Sequence, residues 1–410
     1  MTGALANVRV LELTAAMAGP WIGRYMAACG AEVIRVESRK HPDVVRLYVP
    51  PRAPEAGIQP RCSPWFTDWN AGKRFVALDL SRPRAVELFL RLVARADIVV
   101  SNYAAGVMDR LGLGYDRLRR ANERIIVFAT SGYGETGPCS SYVTWGPNIE
   151  ALSGLGTLSG FPDRECTITQ YAYPDVLTAL HGLFAVTCAL DHRRRTGRGQ
   201  YIDLAQYEAT VAAVGDIVME RLANGAEPPR RGNRSTYHAP HGCYRCGGDD
   251  RWCAIAVRDE AEWGRFCDAV GAPEWRDDPG FADRAARLEH ADALDASIER
   301  WTSTREDYAV MARLQEAGVA AGVVQHVGDL AREDRQLAAR RFFEEVEHLQ
   351  KGSVVATGVP LGLTDTPVRT GRSGAAVGED NAYVFGTLLG MGADEIRACV
   401  GDGAIESPEA

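Results

Sequence analysis

The chain lacks the marks of secreted, membrane and nucleic-acid-binding proteins. Its N-terminus, MTGALANVRVLEL, has no basic start followed by an apolar core, so we expect no signal peptide. No apolar run approaches the length of a membrane span; the best candidate, Val176 to Leu190, is short and contains His181 and Thr187. The net charge of -8 argues against nucleic acid. We therefore predict a cytoplasmic protein with no membrane or nucleic-acid partner.

The cysteines lack the spacing of a disulfide scaffold. There are 10 of them, scattered over 410 residues, which fits reduced thiols in a cytosolic protein. His238, His241, Cys243, Cys246 and Cys253 lie close in the sequence, and CYRC has the spacing of a zinc knuckle, but a second Cys-x-x-Cys is missing. The stretch GCYRCGGDDRWCAIAV also reads as a hairpin around a GGDD turn. We therefore favour packed cysteines and predict no metal site.

Three common nucleotide and hydrolase motifs are also missing from the places where such enzymes carry them. The turn after the first predicted strand reads AAMAGPWIG instead of G-x-G-x-x-G, which disfavours a nicotinamide enzyme. Neither the G-x-S-x-G of serine hydrolases nor the phosphate loop G-x-x-x-x-G-K-[ST] occurs. The chemistry of this chain must therefore rest on a different arrangement.

Short apolar runs alternate with helical patterns in the first half of the chain. VRVLEL, AEVIRVE, FVALDL, DIVVSN and RIIVFATSGYG read as buried strands separated by helices, which predicts an α/β fold with a parallel sheet. Sheets of this kind bind ligands beyond the carboxyl ends of their strands. Those ends carry residues 14–20, 37–46, 102–106 and 131–137.

Composition changes divide the chain into three parts. Residues 1–224 form the predicted α/β domain, which is Rossmann-like. The loop GAEPPRRGNRS then opens a smaller α+β domain over residues 225–330, with a hairpin at 242–257 and helices that include 259–270. Residues 331–410 are more polar and partly irregular, with a last helix predicted near 377–390 and a polar tail. We expect this C-terminal segment to return to the large domain.

One acidic residue, Asp175, stands at the head of a helix predicted over 171–195. By the helical pattern alone it favours the first turn, because the backbone amides at a helix N-terminus carry partial positive charge. The helix ends in RRRTGRGQ, a basic last turn followed by glycine. The residues alone leave open whether Asp175 only caps this helix or also takes part in chemistry.

Several blocks of sequence decide between these readings. In order they are LTAAMAGPWIGRYMAACGAEVIRVE, NAGKRFVALDL, ADIVVSNYAAGVMDRLGLGYDRLRRANERIIVFATSGYGETGP, EALSGL, ALDHRRRTGRGQYIDL, APHGCYRCGGDDRW, EAGVAAGVV and VGEDN. Over nearly the whole chain this pattern resembles the class III CoA-transferases, the family that includes formyl-CoA transferase and carnitine CoA-transferase. The "GKR…LDL" and "RRRTGRGQ" blocks are its most specific parts.

The resemblance implies a reaction and an assembly. CoA would move from an acyl-CoA to a free carboxylic acid through covalent intermediates on one aspartate, which matches Asp175 in YPDVLTALHG. A CoA thioester would be the substrate, with no tightly bound cofactor. The family also implies an interlocked homodimer.

A racemase of the same fold is the alternative. Proton exchange at the α-carbon needs an acid and a base on opposite faces of the substrate. In the racemase pattern a histidine precedes L-S-G, and here Trp145 takes its place in TWGPNIEALSG. No histidine occurs between His41 and His181, although His181, His238 or His241 could reach the site from elsewhere. Transfer is therefore favoured.

The resemblance also suggests ligand contacts, each matched to a block of this sequence. The expected CoA contacts are Ala15, Ala16, Met17, Ala18, Arg39, Gly72, Lys73, Asn102, Tyr103 and Arg110. Among them, Lys73 is expected to meet a phosphate. The expected acid pocket comprises Thr144, Trp145, Asn148, Tyr237 and His238. The segment RRGNRSTYHAPHG lacks the glycine run that formyl-CoA transferase has over its site, so the pocket would suit a different acid.

Overall fold

A parallel sheet organises the first part of the computed structural model, which describes residues 3–48, 63–169, 171–348 and 352–407. Its strands are β1 (Arg9–Leu13), β2 (Glu32–Glu37), β3 (Arg74–Ala77), β4 (Ile98–Ser101), β5 (Ile126–Ser131) and β6 (Tyr201–Ala205). The strand order is β3-β2-β1-β4-β5-β6, and every neighbouring pair is parallel. The predicted α/β fold with a parallel sheet is therefore confirmed.

Ten helices accompany this sheet up to residue 224 in the described ranges. They are α1 (Ala18–Ala28), α2 (Pro64–Trp69), α3 (Pro83–Val93), α4 (Val107–Arg110), α5 (Tyr115–Ala121), α6 (Gly146–Leu152), α7 (Leu155–Leu158), α8 (Tyr173–Thr196), α9 (Gln206–Ala213) and α10 (Gly215–Asn224). A single 3-10 turn, Val44–Leu47, follows β2.

Both faces of the sheet are covered because its strands alternate their side chains between two cores. Val10 and Ile98 pack with α1 and α8 on one face. Leu11 and Val99 point to the other face, where α3, α5 and the C-terminal residues pack. The sheet is therefore buried on both sides, and only its edges can meet a ligand.

The helix α8 lies very close to the sheet. A Cβ on Gly182 would come within 2.8 Å of both Ile22 and Phe128, so only glycine allows this approach. The helix α8 has 24 residues, and an 18-residue stretch of it has a mean hydropathy of 1.3. It is therefore long and apolar enough to span a membrane. This corrects the expectation that no run has that length. One such helix is weak evidence, because core helices of soluble proteins pass the same test.

By chain contacts, the residues fall into two compact units. The first comprises Met1–Gly156, Ile168–Ala226 and Ala339–Ala410, and the second comprises Thr157–Thr167 and Glu227–Ala338. In the first unit, the chain after residue 339 forms an antiparallel pair of strands, a π-helix and a last α-helix. These are β10 (Phe343–His348), β11 (Gly352–Thr357), the π-helix Ala382–Leu388 and α17 (Ala393–Gly401). The three domains inferred from the sequence stay a prediction.

The second unit is a small α+β arrangement with its own core. An antiparallel sheet of order β7-β8-β9 is formed by β7 (His241–Arg245), β8 (Trp252–Ala256) and β9 (Ala320–Val323). Its helices are α11 (Glu260–Val270), α12 (Arg284–Glu289), α13 (Ala291–Thr302), α14 (Asp307–Glu316), α15 (Val327–Arg332) and α16 (Arg335–Ala339), with a 3-10 turn at Pro273–Arg276. Trp263 and Phe266 lie at the centre of its core.

The cysteines of the β7–β8 hairpin are arranged for packing. Cys243 pairs with Ala254, and Cys253 pairs with Tyr244, so the two thiols lie on opposite faces of the sheet. Cys246 and Cys253 are buried. Within the described ranges, no group of three or more His, Cys, Asp or Glu side chains is placed to hold a metal ion. The predicted hairpin is confirmed.

Candidate active site

Asp175 lies in the first turn of α8 without capping it. Ala172 is the residue before the helix, and its side chain forms no cap. The Asp175 carboxylate instead accepts a hydrogen bond at Oδ1 from Nε2 of Gln206, 3.2 Å away. The sequence position is typical of a capping residue, but the side chain is directed to the first residue of another helix.

The surroundings of Asp175 raise the pKa of its carboxyl group. Loss of water around the group is the largest cause, and the pKa rises from 3.8 to about 6. The hydrogen bond from Gln206 and the backbone N–H groups of Ala18 and Asp175 oppose this rise, because they stabilise the charged form. Such a carboxylate remains ionised at neutral pH and is a better nucleophile than a fully hydrated one.

Asp175 and Gln206 line a cavity of about 170 Å³ at the carboxyl edge of the sheet. The other lining residues follow β1 and β4, end or follow β5, or precede and begin α6: Ala15, Ala16, Asn102, Ala104, Thr130, Ser131, Gly132, Tyr142, Val143, Thr144, Trp145 and Gly146. None of these described residues is a lysine, arginine or histidine. Asp175 is therefore the one carboxylate in a wall of small, neutral and aromatic groups.

Three residues of this cavity were not singled out from the sequence. Gln206 holds Asp175, and Ser131 contributes a buried hydroxyl that has no hydrogen-bond partner among the residues the structure describes. A Cβ on Gly146 would lie 2.5 Å from Oδ2 of Asp175, so glycine is needed for the backbone to approach the carboxylate. Gln206 directly follows a parallel strand, and the rule that sheet ligands meet strand ends could have identified it.

Asn102 holds the loop that follows β1. Its Nδ2 donates to the carbonyl oxygen of Ala15 at 2.8 Å, and its Oδ1 accepts from the Ala15 N–H at 2.8 Å. The next residue, Ala16, has a φ of 58°, which is unusual for a residue with a Cβ. The Ala16 N–H donates to both carboxylate oxygens of Asp43 at 3.1 Å. Asn102 thus orders the predicted CoA loop with its own side chain.

We expect Asn102→Ala to lower the free energy of unfolding by about 1–3 kcal/mol, because both polar groups of Ala15 lose their partner. The same change should raise KM for an acyl-CoA several-fold, since the loop loses its order. Asn122→Ala is the matched control, because Asn122 also holds backbone groups, the carbonyl oxygens of Val93 and Ala96, at 3.1 and 2.9 Å. Chemical denaturation and initial rates provide the two measurements. An unchanged KM in both variants would contradict the loop assignment.

Lys73 is fully buried, which changes its expected role. Its Nζ donates to Glu12 at 2.8 Å, to the carbonyl oxygen of Pro20 at 2.8 Å and to Asn70 at 2.9 Å. Desolvation, opposed chiefly by Glu12, lowers the pKa of Lys73 to about 8. All three ammonium protons are used inside the protein. The fold therefore gives Lys73 a structural role in place of the predicted phosphate contact.

Arg35 connects this buried lysine group to the loop after β1. It is fully buried and contacts the side chains of Asn70 and Asp43, and it donates to the carbonyl oxygen of Thr14 at 2.9 Å. A buried arginine is tolerated only when it is paired in this way. Arg35 holds the Asp43 carboxylate, and this carboxylate accepts the N–H of the strained residue Ala16. The local sequence pattern does not reveal this role of Arg35 and Asp43.

A second cavity, of about 450 Å³, shares Ala15 and Ala104 with the first. Tyr103 lines it, and burial raises the pKa of its hydroxyl to about 12. Arg39 is exposed next to Ser38, which also lines this cavity. The volume falls within the usual range of small-ligand sites. Four of the ten predicted CoA contacts line these two cavities: Ala15, Ala16, Asn102 and Tyr103.

Four further predicted CoA contacts are not among the lining residues of either cavity. Met17 and Ala18 are buried at the start of α1. The N–H of Gly72 donates to the carbonyl oxygen of Arg372 at 2.7 Å. Arg110 is exposed at the end of α4. None of these four side chains or backbone positions lines either cavity.

The residues predicted for the acid pocket separate into two groups. Thr144 and Trp145 line the smaller cavity, and Asn148 accepts a hydrogen bond from the Trp145 N–H at 3.2 Å. Tyr237 and His238 belong to the second compact unit. Tyr237 is 71% exposed there, and His238 has a buried Nδ1 that finds no partner in the described part of the chain. Thr144 and Trp145 therefore share a cavity with Asp175.

Comparison with known proteins agrees with this geometry. A model of CoA-transferase family III matches residues 5–381. The chain is 32% identical to the succinyl-CoA--D-citramalate CoA-transferase of Chloroflexus aurantiacus over 96% of both chains. It is 30% identical to the probable CoA-transferase Rv1866 of Mycobacterium tuberculosis over 98% of its own length but only 50% of that relative. A CAIB/BAIF family protein from Brucella suis has a similar structure, with 30% identity, a TM-score of 0.87 and coverage of 95% of this chain and 100% of that one.

Proposed function

The chain belongs to CoA-transferase family III, and from that premise we propose that it moves CoA from an acyl-CoA to a free carboxylic acid through covalent intermediates on Asp175. In the first step the carboxylate attacks the thioester carbonyl carbon, the carbon–sulfur bond breaks, and CoA leaves as a thiolate. The product is an anhydride between Asp175 and the acyl group. The thiolate then attacks the aspartyl carbon, forms an aspartyl-CoA thioester and releases the first acid.

The acceptor acid repeats these two steps in reverse. Its carboxylate attacks the aspartyl thioester and expels the thiolate, which forms a new anhydride. The thiolate then attacks the acceptor's carbonyl carbon, restores the Asp175 carboxylate and yields the new acyl-CoA. One carboxylate is therefore enough for the whole cycle, and CoA must stay bound throughout.

The observation that carries the proposal is the state of Asp175 itself. A structural carboxylate this poor in water would be paired with a cation, because burying an unpaired charge is costly. Asp175 has no cation among the described residues of its cavity, only the Gln206 amide and backbone N–H groups. Its desolvation suits a nucleophile that must approach a thioester carbon.

The two cavities suggest how acyl-CoA is held. The larger cavity suits the CoA nucleotide and pantetheine, with Tyr103 in its wall and Arg39 at its rim. Ala15 and Ala104 line both cavities, so the thioester can pass between them to Asp175. The small side chains at this passage favour a narrow pantetheine arm. The neutral wall around Thr144 and Trp145 would then receive the acid.

The described lining of the Asp175 cavity favours transfer over racemisation. It contains no histidine, and Trp145 stands where the racemase pattern has one. A racemase needs a second group to return a proton on the opposite face of the α-carbon. We therefore expect no exchange of the α-hydrogen with deuterium when an acyl-CoA is incubated with the protein in D₂O.

Hydroxylamine trapping tests the covalent route directly. The protein is incubated with acyl-CoA donors of different chain length and polarity, hydroxylamine is added, and the peptide that contains Asp175 is analysed by mass spectrometry. Hydroxylamine attacks an aspartyl thioester or anhydride and leaves a hydroxamate on Asp175. A transferred product without any trapped Asp175, under conditions where the acyl-CoA is consumed, would overturn the covalent mechanism.

The raised pKa of Asp175 predicts the acid limb of the pH profile. The nucleophile acts in its ionised form, so kcat/KM should fall as the pH drops through about 6, the pKa of the folded protein, instead of through 3.8, its ordinary value. Initial rates at low acyl-CoA concentration between pH 4.5 and 8 measure this limb. A profile that stays flat down to pH 4.5 would show that Asp175 is not the titrating nucleophile.

The identity of the acids is open to a screen. The Chloroflexus aurantiacus relative is named for succinyl-CoA and D-citramalate. Acyl-CoA donors can be mixed pairwise with small carboxylic acids, and mass spectrometry of the products would identify the pair used here.

We also propose that the protein works in the cytoplasm as a homodimer. Light scattering on purified protein tests the assembly.

A further inference from the structure

Among the described residues, the one hydrogen bond of the Gln206 side chain goes to Asp175. It is the first residue of α9, directly after β6, whose last residue Ala205 pairs with Ser131. Its side chain is 8% exposed, and its Nε2 lies 3.2 Å from Oδ1 of Asp175. Position and burial therefore hold the amide against a single oxygen of the carboxylate.

The two oxygens of Asp175 have different surroundings. Oδ1 accepts the hydrogen bond from Gln206. Oδ2 faces the backbone of Gly146, where a Cβ would come within 2.5 Å of it and within 2.8 Å of the Cβ of Ala172. Among the described residues, the Gln206 amide contacts Oδ1 and not Oδ2. Because Oδ1 is held by this amide, attack on the thioester carbon falls to Oδ2.

We propose that Gln206 is a catalytic residue that donates a hydrogen bond to Oδ1 as this oxygen becomes the carbonyl oxygen of both covalent intermediates, an inference that rests on the transferase function proposed above. When the CoA thiolate attacks Cγ of the anhydride, a carbon–sulfur bond forms and an electron pair moves onto Oδ1. Collapse restores the carbonyl and breaks the bond between Cγ and Oδ2, and the first acid leaves as a carboxylate that contains Oδ2.

The same oxygen carries the charge on the return path. The acceptor carboxylate attacks Cγ of the thioester, negative charge again develops on Oδ1, and the thiolate leaves. In both steps the Gln206 amide is already in place, in a site poor in water where a hydrogen bond to a developing charge is strong. Removal of one such donor in other enzymes costs on the order of 10²–10³ in rate.

The test compares Gln206→Met with the wild type and with Gln315→Met. Methionine keeps the length and apolar volume of glutamine but has no N–H. Gln315 donates to the carbonyl oxygen of Ala321 at 2.9 Å in the second compact unit, so its variant controls for the loss of an ordinary glutamine hydrogen bond. We expect kcat to fall by about 10- to 100-fold in Gln206→Met, with KM for acyl-CoA within about twofold and Gln315→Met like the wild type.

A second readout separates this role from simple structural support. The Gln206 hydrogen bond lowers the pKa of Asp175, so its removal should move the acid limb of kcat/KM to higher pH. Gln206→Leu also removes the donor without adding a charge, and it serves if the methionine variant fails to fold. An unchanged kcat and acid limb, or a raised KM with kcat unchanged, would overturn the proposal.

The proposed covalent role of Asp175 and the proposed role of Gln206 would fail in distinguishable ways. If wild-type protein gives no hydroxamate on Asp175 with any donor that it consumes, the covalent function fails before Gln206 is considered. If the wild type is trapped at Asp175 and Gln206→Met transfers CoA at the same rate, only the role of Gln206 fails.

Discussion

Replacement of Asp175 by asparagine is expected to lower the rate of CoA transfer by at least about 10⁴-fold, because no other carboxylate lines the described cavity to form the anhydride and the thioester. Asparagine has nearly the same shape and can still meet the Gln206 side chain, so the loss would report the missing nucleophile and not a change in packing. The hydroxamate on the peptide that contains this position should also disappear.

The same variant should be more stable than the wild type at neutral pH. Folding raises the pKa of Asp175 from 3.8 to about 6, so the folded protein holds a proton that the unfolded chain has already lost between these pH values. The contribution of Asp175 to stability is therefore lost as the pH rises from about 4 to 6, and above 6 the penalty is constant. A shift of about two pH units corresponds to about 3 kcal/mol, which asparagine would recover in part.

Asp191→Asn is the matched control for both effects. Asp191 lies on the same helix, exposed to solvent, and pairs with Arg195 at 2.9 Å. Exposed pairs of this kind contribute about 0–1 kcal/mol, so activity and stability should stay near those of the wild type. Transfer rates at saturating substrate and thermal unfolding at pH 7.5 give the comparison. Retention of more than a few per cent of activity in Asp175→Asn would refute the central assignment.

Much of the fold follows from local sequence patterns. The helix predicted over 259–270 is α11 at Glu260–Val270, and the predicted hairpin matches β7 and β8 closely. These elements have clear periods and clear ends: Asp259 caps the start of α11, and Gly271 ends it with a left-handed φ of 79°. Where a segment carries its own periodicity and its own caps, the sequence predicts it well.

The C-terminal part was predicted less well, because distant contacts shape it. The sequence indicated one helix near 377–390 and a polar tail. The structure has a π-helix at Ala382–Leu388 and a further helix, α17, at Ala393–Gly401. Cys399 of α17 is fully buried in the core beside the sheet. Packing against distant residues therefore stabilises this helix, and its own short sequence does not predict it.

The same difference holds for the site: nearby sequence predicts some features of its residues, but contacts between residues far apart in the chain decide the others. Helical pattern alone described Asp175 as a first-turn acid, and only the family resemblance suggested a chemical role for it. Its partner Gln206 is 31 residues away in the sequence, and the two meet because α8 and α9 pack against each other. The buried setting of Lys73 could not be read locally either, since its partner Glu12 is 61 residues away.

Replacement of Gly146 by valine is expected to lower kcat/KM by more than about 10²-fold. A Cβ at this position would stand 2.5 Å from Oδ2 of Asp175 and 2.8 Å from the Cβ of Ala172, whereas ordinary contacts begin near 3.4 Å. The carboxylate or the start of α8 must therefore move by about 1 Å, and a displacement of that size from the productive geometry typically costs about 10² in rate. Alanine should cost less than valine, because it adds only the Cβ.

Gly215→Val provides the control, since Gly215 is likewise the first residue of its helix, α10, and a Cβ there meets no atom within 4 Å. Both variants place a β-branched residue at the same helix position, so their difference isolates the contact with Asp175. Circular dichroism and thermal unfolding establish that each is folded, and the rate of hydroxamate formation on Asp175 locates the loss at the nucleophile. If Gly146→Val is folded and transfers CoA within threefold of the wild type, the close approach of Gly146 does not position the Asp175 carboxylate for the reaction.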